Sequence, residues 1–466
     1  MTRITKCRVL PSLGLAVLNA GLSVALTGVL NAPAAAATTP DPIQHVVVIV
    51  QENRTFDNLF NGYPGANSRN YGYDSKGNKV YLQPEPLGLP YDLDHSHTGF
   101  ETEWAKGKMN GFDLEGHSPT TVADPAYTYV PEAQVKPYWD IAAEFALADN
   151  MFQSNEGPSF PAHQFLIAGQ SGHFSQSNPN PLDGRNLGPL GMSENIAAPK
   201  GAAQQGGCDA AALGYKVQTI NQDLLENRQP SSEKNDPKVL PCVNYATILD
   251  ELEAKKLTWS YYTPSYGVLW DAPDAISHIR YVPARWKNVK VPETSILDDI
   301  ALGKLANVSY VIPRGLNSDH PGNANATGGP DWVATVLNAI GTSPYWKNTI
   351  VVVTWDDWGG FYDHVPPTIL SSYSTGLRVP ALLISPYAKQ GYVSHTRRDF
   401  GSILRVIENH FGVASLGQDD SYNEAFGDCQ DFTKPPRAFV PIQTLSGATP
   451  AMYRHLRPDA SPVDDD

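Results

Sequence analysis

Thr349-Ile-Val-Val-Val-Thr-Trp-Asp356-Asp357-Trp-Gly-Gly-Phe-Tyr-Asp363-His364 is an unbroken apolar run that ends in acid. Ile350 to Val353 lack polar alternation, so the run suits a strand covered on both faces, and Gly359-Gly360 releases the chain just past the two aspartates. A second stretch, His45-Val-Val-Val-Ile-Val-Gln-Glu52-Asn53-Arg54, repeats the pattern. Open α/β sheets bind ligands where the carboxyl ends of strands converge. The spacing therefore predicts four oxygen donors at one sheet edge: Glu52, Asn53, Asp356 and Asp357.

Working outward, further strands are expected at Leu257–Tyr262, Asn307–Ile312 and Val379–Ser385. Helical patterns lie between them. One starts at Pro330 and ends at Gly341; another runs from Asp399 to Gly412. Strands alternating with helices predict an α/β fold with a parallel sheet. The stretches 61–92 and 170–238 are rich in Gly, Pro, Asn and Ser and are expected as loops over the sheet edge.

The first 37 residues carry Arg3, Lys6 and Arg8, then an apolar stretch and Ala34 to Ala37, the pattern of a secretory leader. The expected organisation is a signal peptide over 1–37, a single domain over 38–456 and a flexible tail over 457–466. After residue 37 nothing is long and apolar enough to span a bilayer, so the mature protein is expected to be secreted or periplasmic. In such a compartment Cys208 and Cys242, which flank a polar excursion, are expected to pair, leaving Cys429 free. The chain has 34 basic and 48 acidic residues, net −14; loss of the three leader cations takes this to −17. That field disfavours nucleic acid, although a metal or cation cluster can still invert the sign inside one pocket.

The four donors are hard ligands with no zinc-finger spacing of Cys or His nearby, which suits one divalent ion such as calcium, magnesium or manganese. Ser159, in Asn155-Glu-Gly-Pro-Ser159-Phe-Pro161-Ala-His163, stands at a predicted helix start, where backbone N–H groups favour an anion. It is the candidate nucleophile. A capping serine is the plainer reading, and a neighbouring metal decides between them. Four loops supply histidines: His95 and His97, His320, His364, and His395. A phosphoester site needs a group to protonate the leaving alcohol, and His320 and His364, each a few residues past a strand, fit best, with His95 behind them. Arg54 reads equally well as a structural ion pair.

With these residues assembled, the chain resembles the phosphoesterase family that joins bacterial phospholipases C, plant non-specific phospholipases C and a branch of bacterial acid phosphatases. The resemblance covers about residues 43 to 439 and rests on Gln51-Glu-Asn-Arg-Thr-Phe-Asp57, Ser159-x-Pro161, Ser318-Asp-His-Pro321, Gly359-Gly-Phe-Tyr-Asp-His-Val365 and Arg378-Val-Pro-Ala-Leu-Leu-Ile-Ser-Pro386. It implies an α/β/α sandwich like that of the alkaline phosphatase superfamily, with long loop insertions. It implies one metal on Glu52, Asn53, Asp356 and Asp357, Ser159 as nucleophile, and His320, His95 and His364 in matching motifs. Plant members carry Thr, Glu and His where Ser159, Asp357 and Trp358 stand here, so the leaving-group side of the pocket differs from theirs.

The expected function is hydrolysis of phosphoesters through a phosphoserine, on phospholipids in the manner of a phospholipase C, or on small soluble monoesters as an acid phosphatase. Transient contact with a membrane surface is compatible with the first. A glycosidase would also use paired carboxylates, but placed about 5 to 10 Å apart across a sugar, which an adjacent acidic doublet with an amide partner does not suggest. A catalytically silent surface-binding protein is the remaining class; release of phosphate dependent on metal separates it from an enzyme.

Overall fold

Eight strands form the central sheet of the computed structural model, which describes residues 41–172, 190–197, 205–221, 236–371 and 373–459. In chain order they are β1 (His45–Gln51), β2 (Ala146–Phe152), β3 (Trp259–Tyr262), β4 (Val289–Lys290), β5 (Val308–Val311), β6 (Thr349–Trp355), β7 (Arg378–Ile384) and β8 (Tyr392–Ser394). Across the sheet the order is β4-β3-β5-β1-β6-β7-β2-β8. β4, β3, β5, β1 and β6 are parallel, whereas β7 runs antiparallel to both β6 and β2. The chain is therefore mixed α/β with a large central sheet.

The expected strands are all present, with ends shifted by one or two residues, and the all-parallel expectation fails at β7. β2, β4 and β8 were not expected. Ala-Leu-Ala-Asp-Asn-Met-Phe of β2 holds Asp149 and Asn150, both poor strand formers, and only burial between β7 and β8 makes it a strand. Pro380 sits inside β7 at a register break between Val379 and Ala381, the kind of irregularity at which a sheet tolerates a residue without an N–H.

Every residue of β6 and β7 is buried, so helices cover both faces. Glu132–Glu144 packs beside Gly329–Gly341, and Ser159–Ala168 beside Gly401–Phe411. The described residues form one unit from Asp41 onward. Residues 1–37 lie outside the described part, as do 460–466 of the expected tail. The start of that tail is tied down: Arg314 donates to the Arg457 carbonyl at 2.9 Å, and the Asp459 N–H to the Pro264 carbonyl at 2.9 Å. Cys208 and Cys242 form a disulfide with Cα atoms 4.4 Å apart, and Cys429 is buried and free. No described helix is long and apolar enough to cross a membrane.

Candidate active site

β1 and β6 pair rung for rung from His45 with Thr349 to Gln51 with Trp355. Because the two strands end on the same rung, Glu52 and Asp356 leave the sheet side by side. The ladder continues one step further, with the Asp356 N–H donating to the Gln51 carbonyl and the Arg54 N–H to the Asp357 carbonyl, both at 3.0 Å. Asn53 between them is left-handed, φ 62°, a conformation that asparagine tolerates better than most residues. Gly359, also left-handed, lies against it; a Cβ there would stand 2.3 Å from the Asn53 carbonyl oxygen, so the close approach needs glycine.

The third component comes from β2, whose carboxyl end leads through 153–158 into the helix Ser159–Ala168. Pro158 is the N-cap and Ser159 the first helical residue, so the plain capping-serine reading does not describe it. The Ser159 hydroxyl instead donates to Asp357 Oδ2 at 3.1 Å, and Asp357 Oδ1 accepts the Gly359 N–H at 2.8 Å. One helix-start N–H, that of Phe160, is taken by Asn195 Oδ1 at 2.9 Å.

His163, one turn along the same helix, was not singled out from sequence. Its Nε2 lies 3.4 Å from Glu52 Oε1 and 3.5 Å from Asp356 Oδ2, and the three side chains offer converging ligand atoms with all three residues buried. The signal for it was the spacing: residues four apart on a helix share a face, so a serine at the site carries the histidine with it. Burial works against the charge on Asp356, but His163 and the other hydrogen-bonding neighbours outweigh it and hold this carboxyl below its ordinary range.

His95 and His320 lie on the other side of Asn53. His95 Nδ1 is 2.8 Å from the Leu93 carbonyl, which can only accept, so in the neutral ring Nε2 is the acceptor and receives Asn53 Nδ2 at 2.9 Å. That turns Asn53 Oδ1 away as a bare acceptor. By the same logic His320 Nδ1 donates to the Pro321 carbonyl at 2.6 Å, leaving Nε2 buried without a hydrogen-bond partner. The rings of His95 and His320 meet edge to face at 5.9 Å, and Trp270 packs on both His320 and His163. Arg54 is a structural clamp: its guanidinium donates to the carbonyls of Asp319 and Leu87 and to Asn58, tying the end of β1 to the His320 loop.

His364 belongs to a different cluster. Its Nδ1 is 2.5 Å from Asp57 Oδ2 and its Nε2 3.1 Å from Asn67 Oδ1, while Arg378 pairs with both Asp57 and Asp363. His395 is two-thirds exposed and pairs with Asp149, and His97 Nδ1 meets the Glu156 carbonyl at 2.6 Å.

A divalent ion fits the first cluster on a test internal to it. Asn53 Oδ1 is a buried acceptor with no hydrogen-bond partner, and His163 Nε2 faces Asp356 Oδ2 at a long 3.5 Å, a condition a cation relieves and one that is otherwise costly. The donor set of Glu52, Asn53, Asp356 and His163, with Asp357 on the serine side, is chemically suited to such an ion.

A serine at a helix start faces a group of carboxylates at the carboxyl edge of a mixed sheet, an arrangement suited to hydrolysis, and the family comparison points the same way. The Phosphoesterase family profile matches residues 43–414, and the chain belongs to that family, one of phosphoric-ester hydrolases. Non-hemolytic phospholipase C of Pseudomonas aeruginosa is 23% identical over 80% of this chain and 54% of its own length. Phospholipase C B of Mycobacterium tuberculosis is 24% identical, covering 86% and 80%, and non-specific phospholipase C6 of Arabidopsis thaliana 24%, covering 90% and 78%. The chain thus spans about half the Pseudomonas relative and most of the other two. Among solved structures, an alkaline phosphatase superfamily protein from Vibrio parahaemolyticus matches at 12% identity and TM-score 0.35, over 84% of this chain and 73% of that one. A murine ectonucleotide pyrophosphatase/phosphodiesterase in complex with AMP matches at 8% and 0.40, over 83% and 100%.

Proposed function

We propose that this chain is an exported, metal-dependent phosphoesterase of phospholipase C type, acting through a phosphoserine on Ser159. The observation that carries the reading is the Ser159 hydroxyl held on Asp357 beside the Glu52, Asp356 and His163 cluster and the partnerless Asn53 Oδ1. The phospholipase C names of three relatives support the lipid preference, and the disulfide supports export. A bound divalent ion would be held by Glu52, Asn53, Asp356 and Asp357 with His163 as a further donor, and would neutralise phosphate charge and lower the serine pKa. The imidazole donor shifts the choice among calcium, magnesium and manganese toward manganese.

Ser159 Oγ attacks phosphorus while its proton passes to Asp357 Oδ2. The P–O bond to the leaving alcohol breaks, and His320, protonated at Nε2, supplies the proton that alcohol needs. Water then attacks the phosphoserine, releasing the phosphorylated headgroup and restoring the hydroxyl. His95 orients Asn53, and His364 braces the Arg378 cluster next to the site. The Asp357 contact gives the serine a fixed direction in advance of substrate, which the covalent step requires.

The test compares p-nitrophenylphosphorylcholine with p-nitrophenyl phosphate, with and without chelator. Metal-dependent turnover of the diester supports the proposal; faster turnover of the monoester makes the chain a phosphatase, and no p-nitrophenol release from either leaves a silent binding protein. Replacing His320 with Gln should slow an alkyl phosphodiester far more than a p-nitrophenyl one, because only the poor leaving group needs the acid. Equal slowing of both removes His320 from that role.

A further inference from the structure

Residues 69–83 fold into a small hairpin, Tyr71–Tyr73 against Lys79–Tyr81, whose amphipathy is turned outward. Its register pairs Tyr71 with Tyr81, Gly72 with Val80, and Tyr73 with Lys79. Since alternate residues of a strand point to opposite faces, Tyr71, Tyr73, Tyr81 and Lys79 share one face and Gly72 and Val80 the other. The glycine face is the one seated on the protein: a Cβ at Gly72 would lie 2.5 Å from the Tyr362 ring, and Tyr127 donates its hydroxyl to the Tyr73 carbonyl at 2.9 Å. The aromatic face is left to solvent, with Tyr73 46% and Tyr81 53% exposed, and Lys79 Nζ sits 3.7 Å and 4.6 Å from the Tyr71 and Tyr81 ring centres. Leu114, 61% exposed, stands beside the hairpin tip, because its neighbour Asp113 accepts both the N–H and the hydroxyl of Ser75.

The charge of this patch opposes that of the chain. Residues 69–83 hold Arg69, Lys76 and Lys79 against Asp74, and with Asp113 at the turn the patch still carries a net +1 within a chain of net charge −14. Asp74 and Asp113 are both engaged in the turn, where Asp74 accepts the N–H groups of Lys76 and Asn78. Tyrosines with an apolar body and a wet hydroxyl, ringed by cations, match the headgroup layer of a bilayer carrying anionic lipid. Position adds to the match: Tyr362, on which the hairpin rests, lies five residues past Asp357 in the loop leaving β6, so the patch belongs to the same sheet edge as the site.

We infer that the 69–83 hairpin, with Leu114, is a docking surface for an anionic lipid bilayer, presenting the carboxyl edge of the sheet to it. This rests on the phospholipase C reading for its purpose but not for its test. The experiment sediments the full chain with vesicles of phosphatidylcholine mixed with phosphatidylglycerol, and with phosphatidylcholine alone, at low and high salt. Binding should favour the anionic vesicles and weaken in salt. The double variant Tyr73→Ser/Tyr81→Ser and the double variant Lys76→Ser/Lys79→Ser should each lower partitioning by about tenfold or more. Turnover of a soluble phosphoester by both variants should stay at the wild-type rate, which also shows that they fold. Wild-type chain that ignores vesicles, or variants that bind as well as wild type, overturns the inference. A wild-type dimer in sedimentation that the tyrosine variant dissolves makes the patch a contact between copies and overturns it too. Failure of the phosphoester assay with intact vesicle binding would count against the enzyme reading alone.

Discussion

Of three carboxylate–histidine clusters among the described residues, the third being His97, Glu101 and Glu156, two draw on residues that follow β1 and β6: Glu52, Asp356 and His163 in one, and Asp57, Asp363 and His364 in the other. They differ in who supplies the positive charge. In the second, Arg378, fully buried at the start of β7, donates to Asp363 and Asp57 and to the carbonyls of Asn67 and Asp149. It also lies over the Phe56 ring, 4.6 Å from its centre. In the first, no guanidinium contact is found among the described residues, and the imidazole of His163 stands 3.4 and 3.5 Å from the two carboxylates. The lesson is that acidic density does not mark a metal site; an acidic cluster short of a resident cation does. Burial still pushes the Asp363 carboxyl above its ordinary value, against the pull of Arg378, so the second cluster depends on its arginine.

The largest effect that can break this contrast is at the nucleophile. Ser159→Ala should lower kcat on the order of a thousandfold or more while leaving bound metal in place, because the donor set is intact and only the covalent step is lost. Metal analysis alongside steady-state kinetics checks it; turnover near wild type removes Ser159 from the mechanism. Next, Asp356→Asn should lose metal and turnover together, and His163→Gln should weaken metal retention by about 10 to 100-fold. His364→Gln should leave metal content unchanged. If the metal content of His364→Gln fell as far as that of His163→Gln, the two clusters would not be distinct.

Arg378→Met tests the other cluster. It strands Asp57 and Asp363 in the interior, so unfolding free energy should fall by about 3 to 5 kcal/mol in denaturant titration. Divalent metal should then recover part of the loss, since the vacated place is lined by the same donor types. A variant as stable as wild type would show that the arginine is not what neutralises this pair.

The smallest expected effect concerns Asp319, which accepts from Tyr138 and Trp355 and whose pKa burial raises to about 6 despite the neighbouring Arg54. A raised carboxyl pKa means that the folded state binds the proton more tightly. Its stabilising contribution is complete below the unfolded value near 4 and is lost as pH rises through about 6. Asp319→Asn should remove on the order of 2 to 3 kcal/mol of that pH dependence. An unchanged slope of stability between pH 4 and 6 argues that Asp319 is ionised throughout.

Much of this was legible in the chain. β1 and β6 declare themselves because doubly covered strands need unbroken apolar runs, and the residues that follow such runs must lie at the sheet edge. Glu52, Asn53, Asp356 and Asp357 were placed at the sheet edge that way, Ser159 by its place at a helix start, and the disulfide followed from two cysteines flanking one polar excursion. Local pattern could not reveal β2, whose Asp149 carboxylate is met by His395 and the Asn67 N–H and whose Asn150 side chain donates to the His395 carbonyl, partners that come from elsewhere in the chain. Nor could it separate His364 from His320, since both follow a strand by a few residues.

By itself, then, the sequence determined which residues end the buried strands and carry oxygen donors, because burial writes an apolar run and its end into consecutive positions. Tertiary structure alone decided the shared last rung of β1 and β6, the reversal of β7 that brings Arg378 to one acidic cluster, and the turn of helix that brings His163 to the other. Those are register and packing relations between residues hundreds of positions apart, and no local propensity records them.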